Sequence, residues 1–529
     1  MAKAAAQGKQ KLNYPKTILT GFGFMAATIA WQIYDPYISK LLDKFLSASP
    51  LISAWSERLA GSAFLAQFME SQGNAATAAG KFTLVPLFIG IIMTFDNIFG
   101  VIFQPTFGKL SDRCHSRLGK RKPFILIGAP ISALLFMLIP MMDTLPAMMV
   151  CVILFVFVMS LWRAPVVALM PDLTPPELRS EGNAVINLMG GIGGAIGMVA
   201  GTLVTTIYLA VKGISKDDPL FSELFSEFDT FPAVFAVGAV VMIIGTLVMA
   251  FFVKEPDSRL LSSDVLAARS DEERRAAEKE AKRLEKEERK TQKLSGAERK
   301  SLIFMLGGLF FLFCGTNAIT TFFALFADEI LHQKTAQATL LMLVFAVFSM
   351  LSAIPAGWIG KRIGRKKTIV IGLAMFLGAF LVFFAAFMVL SGSSGLSIGE
   401  FVHLNGENPN DPAVLDIIKV MGILIFPVMM VAGTANMMIT VNTLPLVLEI
   451  GGQEKIGTFT GYYYTATFSA QIASPVVYGF YRMFSGTYLS LFYYSPIMFA
   501  LSFLLILFVK HGEAIPDQLI KEAEAANAD

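Results

Sequence analysis

Three ionisable side chains sit in stretches otherwise built for hydrocarbon: Asp35 in WQIYDPY, Asp96 in MTFDNIF and Arg163 in LWRAP. Such groups are expensive inside a bilayer and by default mark a wet cavity, an ion path or a proton relay. Trp31, Gln32 and Asp35 are spaced three and four apart, so on a helix they share a face. Pro36 follows Asp35 and frees backbone groups there. Asp35 reads either as lining a cavity or as solvated near the outer interface. Asp96 is deep by either count. Burial and a neighbouring cation push a carboxyl's proton affinity in opposite directions, which is what a group that takes up and releases a proton needs. The plainer alternative is a hydrogen bond between the second and eleventh spans. Asn97 and Gln104, seven apart, share a face. Arg163 either snorkels to the interface or turns its fork inward, toward Asp35, Asp96 or the hydroxyls or carboxylate of a ligand. Trp31 and Trp162 each neighbour an ionisable residue. An indole against the C–H face of a polyhydroxylated ring suits such a site, and ordinary helix packing suits it equally. Asn317, Asn436, Tyr464 and Gln471 are polar positions able to complete the site, whereas Lys419 reads as interfacial.

These residues need long apolar elements to hold them. Of 529 residues, 55% are hydrophobic and 16% charged, against about 25% charged in an ordinary soluble protein. Twelve apolar runs fall at 17–43, 81–107, 123–142, 147–171, 183–211, 231–253, 301–328, 337–359, 368–390, 416–441, 459–482 and 491–510. A spanning helix needs about 20 such residues, so the expected class is an all-α integral membrane protein with twelve transmembrane helices. Three cysteines give no disulfide framework. The basic start leads into a run too long for a signal-peptide core, so the first span is expected to remain. No phosphate-binding glycine loop, metal cluster or nucleophile–base pair is visible, which points away from an enzyme, a nucleotide-driven machine or a nucleic-acid binder.

Basic residues near span ends mark the cytoplasmic side. FGKLSDRCHSRLGKRKP (107–123) carries six Lys and Arg after span 2, and GWIGKRIGRKK (357–367) carries five after span 8. The loops after spans 3 and 9 carry none, so both termini are expected in the cytoplasm. A second echo pairs ALMPDLTPPELRSEGN (168–183) with PLVLEIGGQEKIGTFT (445–460), aligning Asp172 with Glu449 and Glu177 with Glu454. Two pseudo-symmetric six-helix halves account for both echoes. The expected domains are 1–253, a charged helical linker at 254–300, and 301–529. The linker, rich in Glu and Lys or Arg three and four apart, reads as a solvated helix or as a partner-binding one. Bottom-up, Gly108 lets two helices approach closely, Asp112 pairs with a neighbouring Arg or a helix N-terminus, and the basic cluster holds an anionic inner leaflet.

The string Gly108 to Pro123, with DNIFGVIFQP before it and ALMPDLTPPELRSEGNAVINLMGG after Val167, resembles the major facilitator superfamily, in its glycoside-pentoside-hexuronide and sucrose-transporter-like sugar:cation symporter branch. The resemblance implies the major facilitator fold and import of a sugar or glycoside, an anionic sugar included, by alternating access. The coupling cation is expected to be H⁺, with Na⁺ as the alternative. The expected coupling carboxylates are Asp96 and Asp35. The gating set is Gly108, Asp112, Arg113, Arg117, Gly119, Arg121, Asp172, Arg179 and Glu449, which in the resembled family latches the halves on the inside. By the same analogy the glycines at 190, 193, 194, 197 and 201 pack against span 8. The expectation is a monomer in the plasma membrane, with no cofactor, metal or nucleic-acid partner. The rival reading is a drug or metabolite exporter working by H⁺ antiport; such exporters carry a Gly-Pro pair in span 5, and no Pro interrupts these glycines.

Overall fold

The computed structural model describes residues 12–62, 82–174, 179–215, 224–255, 295–451 and 456–510. Most of the expected 254–300 linker therefore lies outside the described residues, as do Glu177 and Glu454; Arg179 opens a helix, but its side chain is not among those described. The described residues form helices and turns with no strand. In chain order the helices are α1 (Tyr14–Ser47), α2 (Pro50–Ala60), α3 (Val85–Met93), α4 (Phe95–Asp112), α5 (Lys122–Leu138), α6 (Leu145–Leu173), α7 (Arg179–Lys212) and α8 (Phe231–Phe252), then α9 (Gly296–Leu331), α10 (Thr335–Ile363), α11 (Arg365–Ser393), α12 (Ile398–Glu407), α13 (Pro412–Gly451), α14 (Ile456–Ser485) and α15 (Leu491–Leu507).

Eleven helical segments among the described residues are long and apolar enough to cross a membrane. The expected eleventh span is present as α14, 30 residues long, but it is not among those eleven. Its GYYYTATFSAQ stretch puts tyrosines, threonines and a glutamine where leucines would stand. Outward-facing Ile127, Leu134, Phe251 and Ile354 are exposed, as lipid-contacting side chains must be when the solvent is hydrocarbon. The run expected at 81–107 is broken. The Thr94 hydroxyl donates to the Gly90 carbonyl at 2.7 Å and to the Ile472 carbonyl at 3.3 Å, and such side-chain bonds compete with the helical ladder. The last residues assigned to the linker also belong to a helix. Ser295 and Glu298 make a capping box that opens α9, the Ser-x-x-Glu signal of a helix start.

The chain divides into two compact units, residues 1–34 with 98–293, and residues 35–97 with 294–529. In the first unit, the side of α7 that lacks Cβ atoms lies on α1. A Cβ on Gly190 would stand 2.7 Å from the Phe24 ring, one on Gly193 2.5 Å from the Met25 carbonyl oxygen, and one on Gly197 3.2 Å from the Ile29 carbonyl oxygen. The expected partner of this glycine stripe, span 8, is thus corrected to α1; small residues admit whichever backbone comes closest. In the second unit α3 crosses α14 equally closely. A Cβ on Gly90 would overlap the Pro475 carbonyl oxygen, and one on Gly479 the Pro86 carbonyl oxygen.

Candidate functional site

The basic hairpin is built around one buried guanidinium. Arg121 donates from Nε to Asp172 at 2.8 Å, pairs through Nη2 with Asp112 at 2.5 Å, and donates from Nη1 to Ser111 and, at 3.3 Å, to the Gly108 carbonyl. Burial opposes the charged form, but the hydrogen bond and charge of Asp172, followed by those of Asp112, outweigh it and hold the Arg121 pKa above its ordinary value. Gly119 sits at φ +100°, a conformation glycine adopts without a Cβ penalty. The turn it makes presents the amides of Lys120, Arg121 and Lys122 to the Glu255 carboxylate at 2.9–3.2 Å, an anion seated on the first turn of α5. Lys122 Nζ reaches the Ala250 carbonyl at the end of α8, 2.9 Å away. Gly108 contributes its carbonyl rather than a close crossing, since a Cβ there would meet nothing within 4 Å. Arg113 and Arg117 are exposed.

The second basic segment repeats this constellation with one residue fewer. Gly364 is at φ +100°, Arg365 pairs with Glu449, and Lys366 Nζ donates to the Leu507 carbonyl at the end of α15 at 3.0 Å. The sequence alignment of Asp172 with Glu449 therefore corresponds to a shared role, each accepting from the arginine that follows its glycine turn.

Among the span-interior residues of the first unit, Trp31 and Arg163 meet. The Arg163 guanidinium lies over the Trp31 ring at 5.4 Å, and Tyr34 and Phe155 flank the indole at 5.4 and 6.1 Å between ring centres. The Trp31 Nε1 is buried and has no hydrogen-bond partner among the described residues, a donor that costs free energy until an acceptor arrives. Gln32 lies along α7, its Cγ 3.4 Å from where a Gly194 Cβ would be. Trp162 is fully buried, packs on Gly128 and donates its indole N–H to Ser132 at 2.9 Å, so it is helix packing. Gln104 is half-buried beside Gly100.

In the second unit, Asp35 is half-buried near Pro36 within α1. Asp96 opens α4 just past the Thr94 break, and its Oδ1 accepts from the Asn97 backbone N–H at 2.6 Å and from Asn97 Nδ2 at 2.9 Å. A hydrogen bond from the second-span segment to α14 is carried by Thr94. Asn317 donates to the Phe313 carbonyl of its own helix at 2.7 Å. Asn436 and Gln471 are half-buried, while Tyr464 is exposed and stacks on Phe468. Lys419 is exposed beside Asp416 at 3.8 Å. Sequence reasoning missed a further group at one end of this unit, where Lys40, Asp43, Asp328, Glu329 and Arg482 line a single cavity. Each stands within three residues of the edge of an apolar run, a position that reads as interfacial when taken alone.

A polytopic helical membrane protein with a twice-used basic turn is the class these features define. The family model described as Major Facilitator Superfamily matches residues 22–475, and the chain belongs to that superfamily. A segment of the chain is similar to Sucrose transport protein SUC3 of Arabidopsis thaliana, 29% identical over 126 residues, covering 20% of this chain and 21% of that protein. Another match is to Proton-associated sugar transporter A of Mus musculus, 36% identical over 120 residues, covering 20% of this chain and 16% of that protein. The matched segments thus span about a fifth or less of the curated relatives' length. The fold is similar to a crystal structure of the nucleoside transporter NupG, with a TM-score of 0.56 at 14% identity, covering 94% of this chain and 100% of that one.

Proposed function

We propose that this chain is a secondary active transporter that imports a sugar or glycoside together with H⁺, by alternating access between two six-helix halves. In this reading α14 is the eleventh of twelve spans, both termini face the cytoplasm of a plasma-membrane monomer, and the basic turns rest on the anionic inner leaflet. The observation that carries it is the Trp31 indole, with a buried donor that lacks an acceptor, flanked by aromatic rings and covered by Arg163. An aromatic face with convergent polar groups suits a ring bearing hydroxyls. The names of the partly matching relatives agree with a sugar and a proton, and the repeated arginine–carboxylate turn agrees with two related halves.

Counterflow of radiolabelled mono- and disaccharides in proteoliposomes tests the proposal. Trp31→Phe keeps the aromatic face and removes the donor. It is expected to lower counterflow about tenfold, the value of one hydrogen bond near 1.4 kcal/mol. Absence of counterflow with every sugar in the panel, together with uptake inhibition by hydrophobic amines, would transfer the assignment to an exporter.

A further inference from the structure

The missed charge group surrounds a cavity of about 320 Å³ in the second unit. Lys40 and Asp43 come from α1, Asp328 and Glu329 from the end of α9, Arg482 from the end of α14, and Tyr488 from the turn before α15. The Lys40 and Arg482 side chains are each 8% exposed. Each already has its own carboxylate. Lys40 pairs with Asp328; Arg482 Nη2 donates to Glu329 at 2.8 Å while its plane lies 4.2 Å from the Tyr488 ring centre. Glu329 is further held by the Thr487 hydroxyl at 2.6 Å and the Tyr488 N–H at 2.9 Å.

Asp43 is the remaining carboxylate. It lines the same cavity, and among the described residues it accepts no hydrogen bond and makes no ion pair. The charged groups that face it are Lys40 on its own helix, Asp328 and Glu329 from α9, and Arg482 from α14. Among the described residues, the cavity wall therefore carries three acidic groups against two basic ones. Lys334 does not line the cavity: it is half exposed and stands 3.9 Å from Asp328. Asp43 is half-buried, and a carboxylate partly withdrawn from water with neither a hydrogen bond nor a counter-ion of its own is disfavoured. A metal ion would need several converging ligands, and no such grouping occurs among the described residues. One proton balances the wall.

We propose that Asp43 binds a proton in this cavity and that this proton is the coupling ion of transport. The inference rests on the symport reading above and adds Asp43 to Asp35 and Asp96 as the group that carries the charge. When the ends of α1, α9 and α14 pack as they do here, Asp43 stands half-buried against the cavity wall. Proton binding and the packing of these helix ends are then reciprocally linked.

Purified wild type, Asp43→Asn and Asp43→Glu are compared in two arms. In proteoliposomes, Asp43→Asn is expected to keep sugar counterflow within about twofold and to lose at least about tenfold of the accumulation driven by an imposed pH gradient. Accumulation at the wild-type level by this variant overturns the proposal, as does wild-type accumulation that follows a Na⁺ gradient instead. In detergent, with no sugar present, a proton bound by the folded state stabilises it by mass action. The wild-type Tm is expected to fall by a few degrees as pH rises above the ordinary carboxyl range, and that of Asp43→Asn to stay flat over the same range; coincident profiles overturn the proposal. Where Asp43→Asn does not yield monodisperse protein, Asp43→Glu decides: it must accumulate sugar with a displaced pH midpoint, and an unmoved midpoint overturns the assignment. Failure of the sugar reading looks different, with no wild-type counterflow while the Tm difference persists.

Discussion

Replacing Arg121 by Met removes the fork that ties the start of α5 to α4 and α6 while keeping side-chain volume. The side chain is 7% exposed, yet its partners Asp112 and Asp172 are 57% and 41% exposed. Each ion pair is therefore screened by solvent and contributes under about 1 kcal/mol. Ser111 is fully buried, but its hydroxyl keeps its own 2.8 Å bond to the Gly108 carbonyl, so losing Arg121 costs it about 1 kcal/mol. The sum is about 1–3 kcal/mol. At 2–4 °C per kcal/mol for a unit of this size, Tm should drop by about 2–12 °C. Differential scanning fluorimetry in detergent reads this directly. Arg121→Lys keeps the charge without the planar fork and should recover less than half of the loss. A double-mutant cycle with Asp172→Asn should give a coupling of at least about 0.5 kcal/mol. An Arg121→Met protein whose Tm matches wild type, or a cycle with no coupling, would show that the hub is decorative and that backbone contacts to Glu255 alone hold the turn.

Gly90→Ala drives a methyl into the Pro475 carbonyl oxygen, where only backbone can yield; a loss of about 1–3 kcal/mol is expected, read as a lower Tm, while Gly108→Ala, which meets open space, should leave Tm within about 1 °C. The Ser397 backbone N–H, followed by its hydroxyl, holds the Glu400 carboxyl below its ordinary pKa at the start of α12. A carboxyl depressed on folding contributes stability that is present above its unfolded pKa and is lost as pH falls through the folded value. Amide hydrogen exchange in α12, corrected for intrinsic rates, should accelerate in acid in wild type and lose that acid sensitivity in Glu400→Gln, which removes the titrating carboxyl.

Much of the architecture is legible in one dimension. Each of the twelve apolar runs coincides with a helix or a broken pair of helices, because the length of an apolar stretch is a local property and a bilayer imposes one length on all of them. The paired basic turns and the alignment of Asp172 with Glu449 were equally accessible, since a glycine turn and the arginine after it lie within a few positions of each other. The break at Thr94 was not. The Thr94 hydroxyl bonds a carbonyl of α14, 378 residues away, as well as that of Gly90. Glu255 was read as the edge of a polar linker, and only the fold reveals that it sits on the amides of α5, about 135 residues upstream.

The candidate site divides along the same line. Trp31 and Arg163 were each suspicious alone, but a guanidinium over an indole and an orphaned N–H are facts of packing. Trp162 was indistinguishable from Trp31 by neighbouring residues; its bond to Ser132 separates them. Sequence alone determined a helical chain for the membrane and the segments in which its cations gather, because hydropathy and charge act on each segment independently. Tertiary structure decided which charges meet. Lys40 and Asp328 are 288 positions apart and Glu329 and Arg482 are 153 apart, so whether such a residue is a solvated helix end or half of a buried pair depends on which other helix end packs against it.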